Sequence, residues 1–556
     1  MILRPPAPPK VIAPPPVPVP PRQLLPIRDR LRWLFLTAAV GVFLFSVWRL
    51  HIPGKGFTAL INFGDHHAAR FLAEVDPETT HIMPRSDGYD AQWYAQLALK
   101  PDLRDPQLAG AIDNLPYRAR RILFSWTAYG LGLGQPRWVL EAFALQNVLA
   151  WLLLGWVLLR WLPPTDWGNV GRWTAVMFSF GLAFSIRAAL VDGPGLLLLA
   201  TGMALAEAGR PWLSALCLGI AGLGKETCLL SGAILAAPPQ RRSLRAWAVL
   251  GLRGLLLVAP LALWMTFILV QFGPRGADSG ARGFAPPLVE FWHKTTHSMS
   301  ELLAGREPMT FTLAGVFTVV SLGTQFAFFA LRPRWCDPWW RLGAAFALLM
   351  TVLGESVWEG YPSAATRVLL PMLLAFNLTV PRGRRWCPVL ILGNLTVLST
   401  PNFLIPPDGA EPAVLAAPVA LARNAATGEA LRSELAGPWL PAEKSLYDTW
   451  RWTTGSVEIV VHNPHPSPLP ARLSFGLNSR DARHVAVAIG ERELWRGTVN
   501  PTRQDVQLED LVLPPGETRI ALRTDRPAEL APGRADTRPL AFRVLDLRLH
   551  LAPPAP

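Results

Sequence analysis

The sequence predicts a polytopic α-helical membrane protein with about eleven transmembrane helices, followed by a C-terminal all-β sandwich. Three observations carry this. The 556 residues are 51% hydrophobic and only 17% charged, which is too apolar for one soluble domain. Apolar segments recur between residues 33 and 405 at lengths that suit membrane spans. After residue 445 the pattern becomes an alternation of apolar and polar residues between Pro, Gly, Asn and Asp breaks, the period of half-buried strands.

Taken in order, residues 1–32 read as a disordered, Pro-rich cytoplasmic tail, with no apolar signal-peptide core in the first 26. The first span is 33–50. Arg28, Arg30 and Arg32 precede it, and the positive-inside bias places them in the cytoplasm and the loop 51–121 outside. Spans at 139–160, 173–190 and 195–208 follow, descending, rising and descending in turn. Residues 211–237 fit either one helix or a hairpin of two short helices turning at Lys225–Glu226. The hairpin keeps the basic run 241–245 inside. Further spans are expected at 246–271, 311–331, 342–357, 368–380 and 387–405, which leaves the C-terminus outside. Residues 411–435 carry Ala, Leu and Glu at helical spacing, so 406–444 is expected to hold a linker helix. Residues 445–556 are expected to form an extracytoplasmic sandwich of about seven strands.

The formal charge of +13 comes largely from Arg beside apolar segments, a topology signal rather than a nucleic-acid surface. Cys217, Cys228, Cys336 and Cys387 lie in or beside apolar segments without CxxC spacing, so neither zinc nor a disulfide framework is expected. No cofactor is indicated, and no metal, although the acids are compatible with a divalent ion.

Under this topology the acids are unevenly placed. Asp65, Asp87, Asp90, Asp192, Glu226, Glu355 and Glu359 fall on the outer side, together with His66, His67, Arg118, Arg120, Arg121, Lys225 and Arg367. Such a set suits removal of a proton from an acceptor hydroxyl by a carboxylate while cations hold a phosphate leaving group. Asp87, Asp90 and Asp192 are the candidate catalytic acids, and Arg118, Arg121, Lys225 and Arg367 the candidate phosphate binders. Tyr89, Gln92, Trp93, Tyr94, Glu226, Glu355, Glu359 and Tyr361 are candidates for positioning substrate. Simpler roles compete: Asp87 as a turn residue in "SDG", Asp192 as a helix cap, Lys225–Glu226 as a local ion pair, and Trp93 and Tyr94 as an interfacial belt. Adjacent His66 and His67 lack a spaced third ligand.

The stretch "GYDAQWYAQLALKP…AIDNLPYRARRILFSWTAYGLG" (88–132) resembles the first outer loop of bacterial proteins of the GT-C glycosyltransferase superfamily or their close relatives. Their pattern there is Tyr-Asp-Gly-Gln-Phe-Tyr, then Asp-x-Pro-x-Tyr-Arg-x-x-Arg-Ile-Leu. "VDGPGLLLLATGMALAEAGRPWLSALCLGIAGLGKETCLL" and "EGYPSAATRVLLPML" are similar to later segments of those proteins, and "DTRPLAFRVLDL" to a strand of their C-terminal sandwich. The resemblance covers roughly 30–400. It implies sugar transfer from a polyprenyl-phosphate-linked donor to a glycan, lipid or protein acceptor outside the bacterial inner membrane. Asp90 then matches the motif acid, the implied base, and Arg118 and Arg121 match its two arginines. Ala91 stands where Gly is usual and Trp93 where Phe is usual. The alternatives are a transporter or flippase for a lipid-linked saccharide, which would need charges at mid-membrane, and a non-catalytic scaffold presenting the sandwich.

Overall fold

The computed structural model describes residues 27–83, 86–236, 243–273, 283–304, 309–358, 364–403, 414–416, 424, 426–427, 429, 431–444, 449–530 and 538–551. Its helices are α1 (Ile27–Trp48), α2 (Ala91–Leu99), α3 (Leu108–Ala111), α4 (Leu115–Ala119), α5 (Leu123–Leu131), α6 (Pro136–Leu158), α7 (Trp167–Met177), α8 (Phe180–Arg187) and α9 (Asp192–Glu207). They continue with α10 (Pro211–Gly224), α11 (Leu244–Phe272), α12 (Val289–Ala304), α13 (Met309–Leu331), α14 (Pro338–Val352), α15 (Glu355–Trp358), α16 (Ala364–Val368), α17 (Leu370–Thr379) and α18 (Cys387–Leu392).

Four described helices are long and apolar enough to cross a membrane: α1, α6, α11 and α13. α11 shows why lipid is their solvent. Of its 29 residues only Leu257, Leu261 and Ile268 are buried, while Leu263 is 72% and Val270 82% exposed. Apolar surface of this extent without a protein partner belongs in hydrocarbon. The other expected spans are shorter, with 16 residues in α9, 15 in α14 and 10 in α17. The expected span 173–190 is interrupted at Ser179. Its backbone is extended and its hydroxyl donates to the Val176 carbonyl at 2.9 Å, a local bond that competes with helix continuation.

Residues 211–234 break where the hairpin reading places its turn. α10 stops at Gly224, Lys225 is extended, and Glu226–Ile234 continues as a 3₁₀ helix. Gly219 and Gly232 both lie against Leu257 of α11, so the two arms run side by side. Arg341 then binds the far end, its guanidinium donating to the Ala233 and Ile234 carbonyls at 2.9 and 2.7 Å.

The loop after α1 is itself folded. Two short parallel strands, β1 (Phe63–Gly64) and β2 (Ile82–Met83), pair Phe63 with Ile82. Every residue of α2 is buried in a core built with Leu60, Phe63, Ile122 and Phe143.

The C-terminal strands are β3 (Val414–Ala416), β4 (Arg432–Ala436), β5 (Trp439–Lys444), β6 (Thr449–Thr453), β7 (Val457–Asn463), β8 (Leu469–Asn478), β9 (Arg483–Ile489), β10 (Arg492–Val499), β11 (Gln504–Leu513), β12 (Gly516–Thr524) and β13 (Arg543–Leu551). They form a sheet ordered β10-β9-β12-β7-β4 and another ordered β11-β8-β13-β6-β5, with β3 added to β13. Alternating residues of both, among them Val457, Ile459, Leu473, Phe475, Val487 and Leu522, share one buried apolar cluster. Where a linker helix is expected, over 411–435, the described residues hold two strands and no helix. Val414–Ala416 pairs in parallel with β13, and Arg432–Ala436 runs antiparallel to β7. A ladder partner outweighs the helical spacing of Ala, Leu and Glu. Phe311 of α13 meets Trp450 of β6 edge-on at 5.5 Å, joining the two regions.

Candidate functional site

The site grows from the turn that carries Tyr89 and Asp90 into α2. Gly88 has φ +69°, and a side chain there would stand 2.5 Å from Gln92 Oε1 and 2.6 Å from the Asn62 carbonyl. Only glycine takes this path without strain. Asn62, itself at φ +58°, accepts the Tyr89 N–H at 3.0 Å. Gln92 locks the turn from within: its Nε2 donates to the Asp87 carbonyl at 2.7 Å and its Oε1 accepts the Gly64 N–H at 3.1 Å. The backbone of Asp87 is therefore part of the turn, while its side chain faces outward.

Asp90 follows the turn directly. One of its carboxylate oxygens lies 3.0 Å from Arg118 Nη1, the other has no partner among the described residues, and the side chain is 42% exposed. Arg118, at the end of α4, also clasps Asp113 through Nε (3.0 Å) and Nη2 (2.7 Å). Burial lowers the Arg118 pKa, but the bonded Asp113 and the Asp90 charge outweigh it and hold the guanidinium charged.

Arg121 connects this loop to the hairpin turn. Its Nε donates to Glu226 Oε2 at 2.9 Å and its Nη1 to the Tyr94 hydroxyl at 3.2 Å. Burial pushes the Glu226 carboxyl up, yet Arg121 outweighs it and leaves the acid below its ordinary value. Burial pushes the Tyr94 phenol up against the pull of Arg121 and Arg118.

Asp192 opens α9 and is almost fully enclosed. It is ion-paired with Lys225 and, at 3.3 Å, with Arg367. Burial raises its pKa, but Lys225 and Arg367 prevail and hold the carboxyl at about 2. Its position is set by Ser185, whose hydroxyl accepts the Gly193 N–H at 3.0 Å, and by Asn147, which donates to the Leu190 carbonyl at 2.7 Å. Arg367 comes from α16, where the Thr366 carbonyl would lie 2.6 Å from any side chain at Gly181 of α8. That close approach brings Arg367 over Phe184 and lets its Nη2 donate to the Tyr89 hydroxyl at 3.2 Å. The buried Nε of Arg367 has no partner among the described residues.

The structure thus joins Tyr89, Asp90, Tyr94, Arg118, Arg121, Asp192, Lys225, Glu226 and Arg367 through the contacts described above. Arg118, Arg121, Lys225 and Arg367 each contact an acid, with Lys225 and Arg367 sharing Asp192. Trp93 and Tyr94 are 6% and 2% exposed, and Trp93 packs against His67 at 5.1 Å. With Gln92 they build the loop core, so they support the site from beneath and form neither a stacking platform nor an interfacial belt. Glu355 is exposed at the start of α15 and joins none of these contacts. Glu359 and Tyr361, and the side chains of Asp65 and His66, lie outside the described residues. Asp113 opens the second quoted motif but was given no role there, and its bond to Arg118 explains its place five residues before it; nothing local marked Asn62. Among the described residues no three His, Cys, Asp or Glu side chains gather as metal ligands do. A cleft of about 320 Å³ lies elsewhere, among Trp161, Arg172, Arg334, Trp339 and Arg382, and includes none of the site residues.

No protein-family model matches the chain, and no curated protein matches it significantly. Among solved structures it is similar to ArnT from Cupriavidus metallidurans in the apo state, at 13% identity and TM-score 0.36, over 65% of this chain and 62% of that one. It is similar to arabinofuranosyltransferase AftD from Mycobacteria at 12% identity and TM-score 0.30, over 79% of this chain and 56% of that one. A third is arabinosyltransferase EmbB from Mycobacterium smegmatis, at 11% identity and TM-score 0.27, over 96% of this chain and 66% of that one. The chain thus spans less than two thirds of the length of each of these proteins. Overlaps this loose leave the site's own geometry to carry any assignment of function.

Proposed function

We propose that this chain is an integral-membrane glycosyltransferase of the GT-C type, with Asp90 as general base. In this reading the two C-terminal sheets form a β-sandwich, about eleven segments cross the bacterial inner membrane, and the loop 51–121 and the sandwich lie outside. The observation that carries the proposal is Asp90 itself. Arg118 holds one oxygen, the other has no partner among the described residues, and the side chain is 42% exposed, which supports a role in accepting a proton. Asp192 cannot serve, because two cations enclose it and keep it ionised with no open oxygen.

The reaction balances as a single displacement. The acceptor hydroxyl loses its proton to Asp90 while its oxygen bonds the anomeric carbon. The bond from that carbon to the phosphate oxygen breaks, and polyprenyl phosphate leaves with the electron pair. Arg367, whose buried Nε has no partner among the described residues, is assigned to that phosphate, which it would meet once the site opens around the donor. Asp192, itself paired with Lys225, holds Arg367 in place, and Tyr89 receives its other branch. The test is transfer from a polyprenyl-phosphate sugar in purified membranes, comparing the wild-type chain with Asp90→Asn.

A further inference from the structure

The cleft remote from the site has chemistry of its own. Its volume of about 320 Å³ falls at the lower end of the usual size of small-ligand sites. Arg172, Arg334 and Arg382 line it, and Trp161 and Trp339 form a wall with their rings edge to face at 5.0 Å. Arg172 is 6% exposed and donates to the carbonyls of Asn377 (2.6 Å), Val380 (2.8 Å) and Pro381 (3.2 Å). Arg334 donates to the Thr379 carbonyl at 3.3 Å, and Arg382 to Asn169 Oδ1 at 3.0 Å.

These partners satisfy hydrogen bonds but bring no negative charge, and no Asp or Glu is among the lining residues. Two acids nearby, Glu207 and Asp166, are engaged. Glu207 accepts from the indole N–H groups of Trp161 (2.8 Å) and Trp339 (3.3 Å), and from Arg160. Asp166 accepts the Asn169 N–H at 2.8 Å and caps α7. Three guanidinium groups therefore line a cleft with no carboxylate in its described lining, next to indoles of the kind that settle at a membrane interface. The positive-inside bias places the surrounding segments on the cytoplasmic side, where basic clefts between helices receive anionic lipid headgroups.

We infer that this cleft binds a phosphate-bearing anion, and that its occupant is the headgroup of an anionic phospholipid. The site is separate from Asp90, and its test does not depend on sugar transfer. The full-length protein is purified in neutral detergent, and lipid retention is followed by native mass spectrometry with phosphatidylglycerol or phosphatidylcholine added. Phosphatidylglycerol is expected to be retained about tenfold more, and the double variant Arg334→Gln/Arg382→Gln to lose about tenfold of that retention. Arg334→Lys/Arg382→Lys keeps the charge and is expected to keep most of the binding, which guards against a folding defect in the Gln variant. Inorganic phosphate in the millimolar range distinguishes the source. Displacement of the lipid supports the phosphate chemistry and assigns the site to the free anion, and no displacement supports the headgroup. Equal retention of the two lipids, or undiminished retention in the Gln variant, would overturn the inference.

Discussion

Arg367 and Tyr89 are 278 residues apart in the chain, and the guanidinium donates to the phenol at 3.2 Å. The same arginine reaches Asp192 at 3.3 Å. A late helix is thereby tied both to the turn that carries Asp90 and to the start of α9, and Asp192 is the anion at the centre of the arrangement.

Asp192→Asn would leave Lys225 and Arg367 charged and enclosed without their partner. Breaking such a buried pair costs about 3–5 kcal/mol, and thermal unfolding of the purified protein should show a loss on that scale. The pH dependence has a definite sign. The carboxyl is held at about 2 against an ordinary 3.8, so its stabilisation is complete above about pH 4 and is lost as the pH falls towards about 2. The Asn variant should lack that part of the acid sensitivity.

Gly88→Ala should distort the turn ahead of Asp90. The added carbon meets Gln92 and the backbone of Asn62 and Gly64, and φ is +69°. A cost of about 1–3 kcal/mol is expected, together with a fall in sugar transfer because Asp90 is displaced. A stable, fully active Ala variant would show that the turn does not position the base.

The boundary of the C-terminal domain moves towards the N-terminus. β4 and β5 each pair with a neighbouring strand, and β3 pairs with β13. A soluble fragment 411–556 should fold cooperatively, whereas 445–556 loses three strands and exposes unpaired edges. Circular dichroism melts and soluble yield compare the two.

Reporters fused after Leu50 and His550 are expected to read outside, and those after Arg160 and Arg384 inside, as the flanking arginines require. A cytoplasmic reading after Leu50 would place Asp90 on the wrong side for a flipped lipid-linked sugar.

Much of this was legible beforehand, for physical reasons that differ from part to part. Charges are costly beside lipid, so a bundle that gathers acids and bases from several loops on one side tends to pair them. The sequence put Asp192, Lys225 and Arg367 on one side but offered Glu226 as the partner of Lys225, whereas Lys225 pairs with Asp192 and Glu226 with Arg121. Nor did it reveal that every one of the cations would already contact an acid, since pairing geometry depends on packing such as Gly181 against Thr366. Trp93 and Tyr94 were read from their type alone, and the core of the loop claimed them. Composition likewise misled at Arg432–Ala436, because a strand's neighbour lies far away in sequence. The expected span 173–190 holds two helices, with α7 ending at Met177 and Ser179 preceding α8 inside the apolar run.

The central claim is that the open oxygen of Asp90 takes the acceptor's proton. Transfer of labelled sugar from a polyprenyl-phosphate donor in purified membranes, with expression and melting checked for each variant, tests it most directly. Asp90→Asn keeps the shape but loses the basic oxygen, and turnover should fall at least about a hundredfold, the scale of losing a general base. Asp87→Asn should do much less, because the Asp87 carbonyl that Gln92 locks into the turn is kept in the variant. Near-normal turnover in a folded Asp90→Asn protein would contradict the assignment and remove Asp90 from the chemistry.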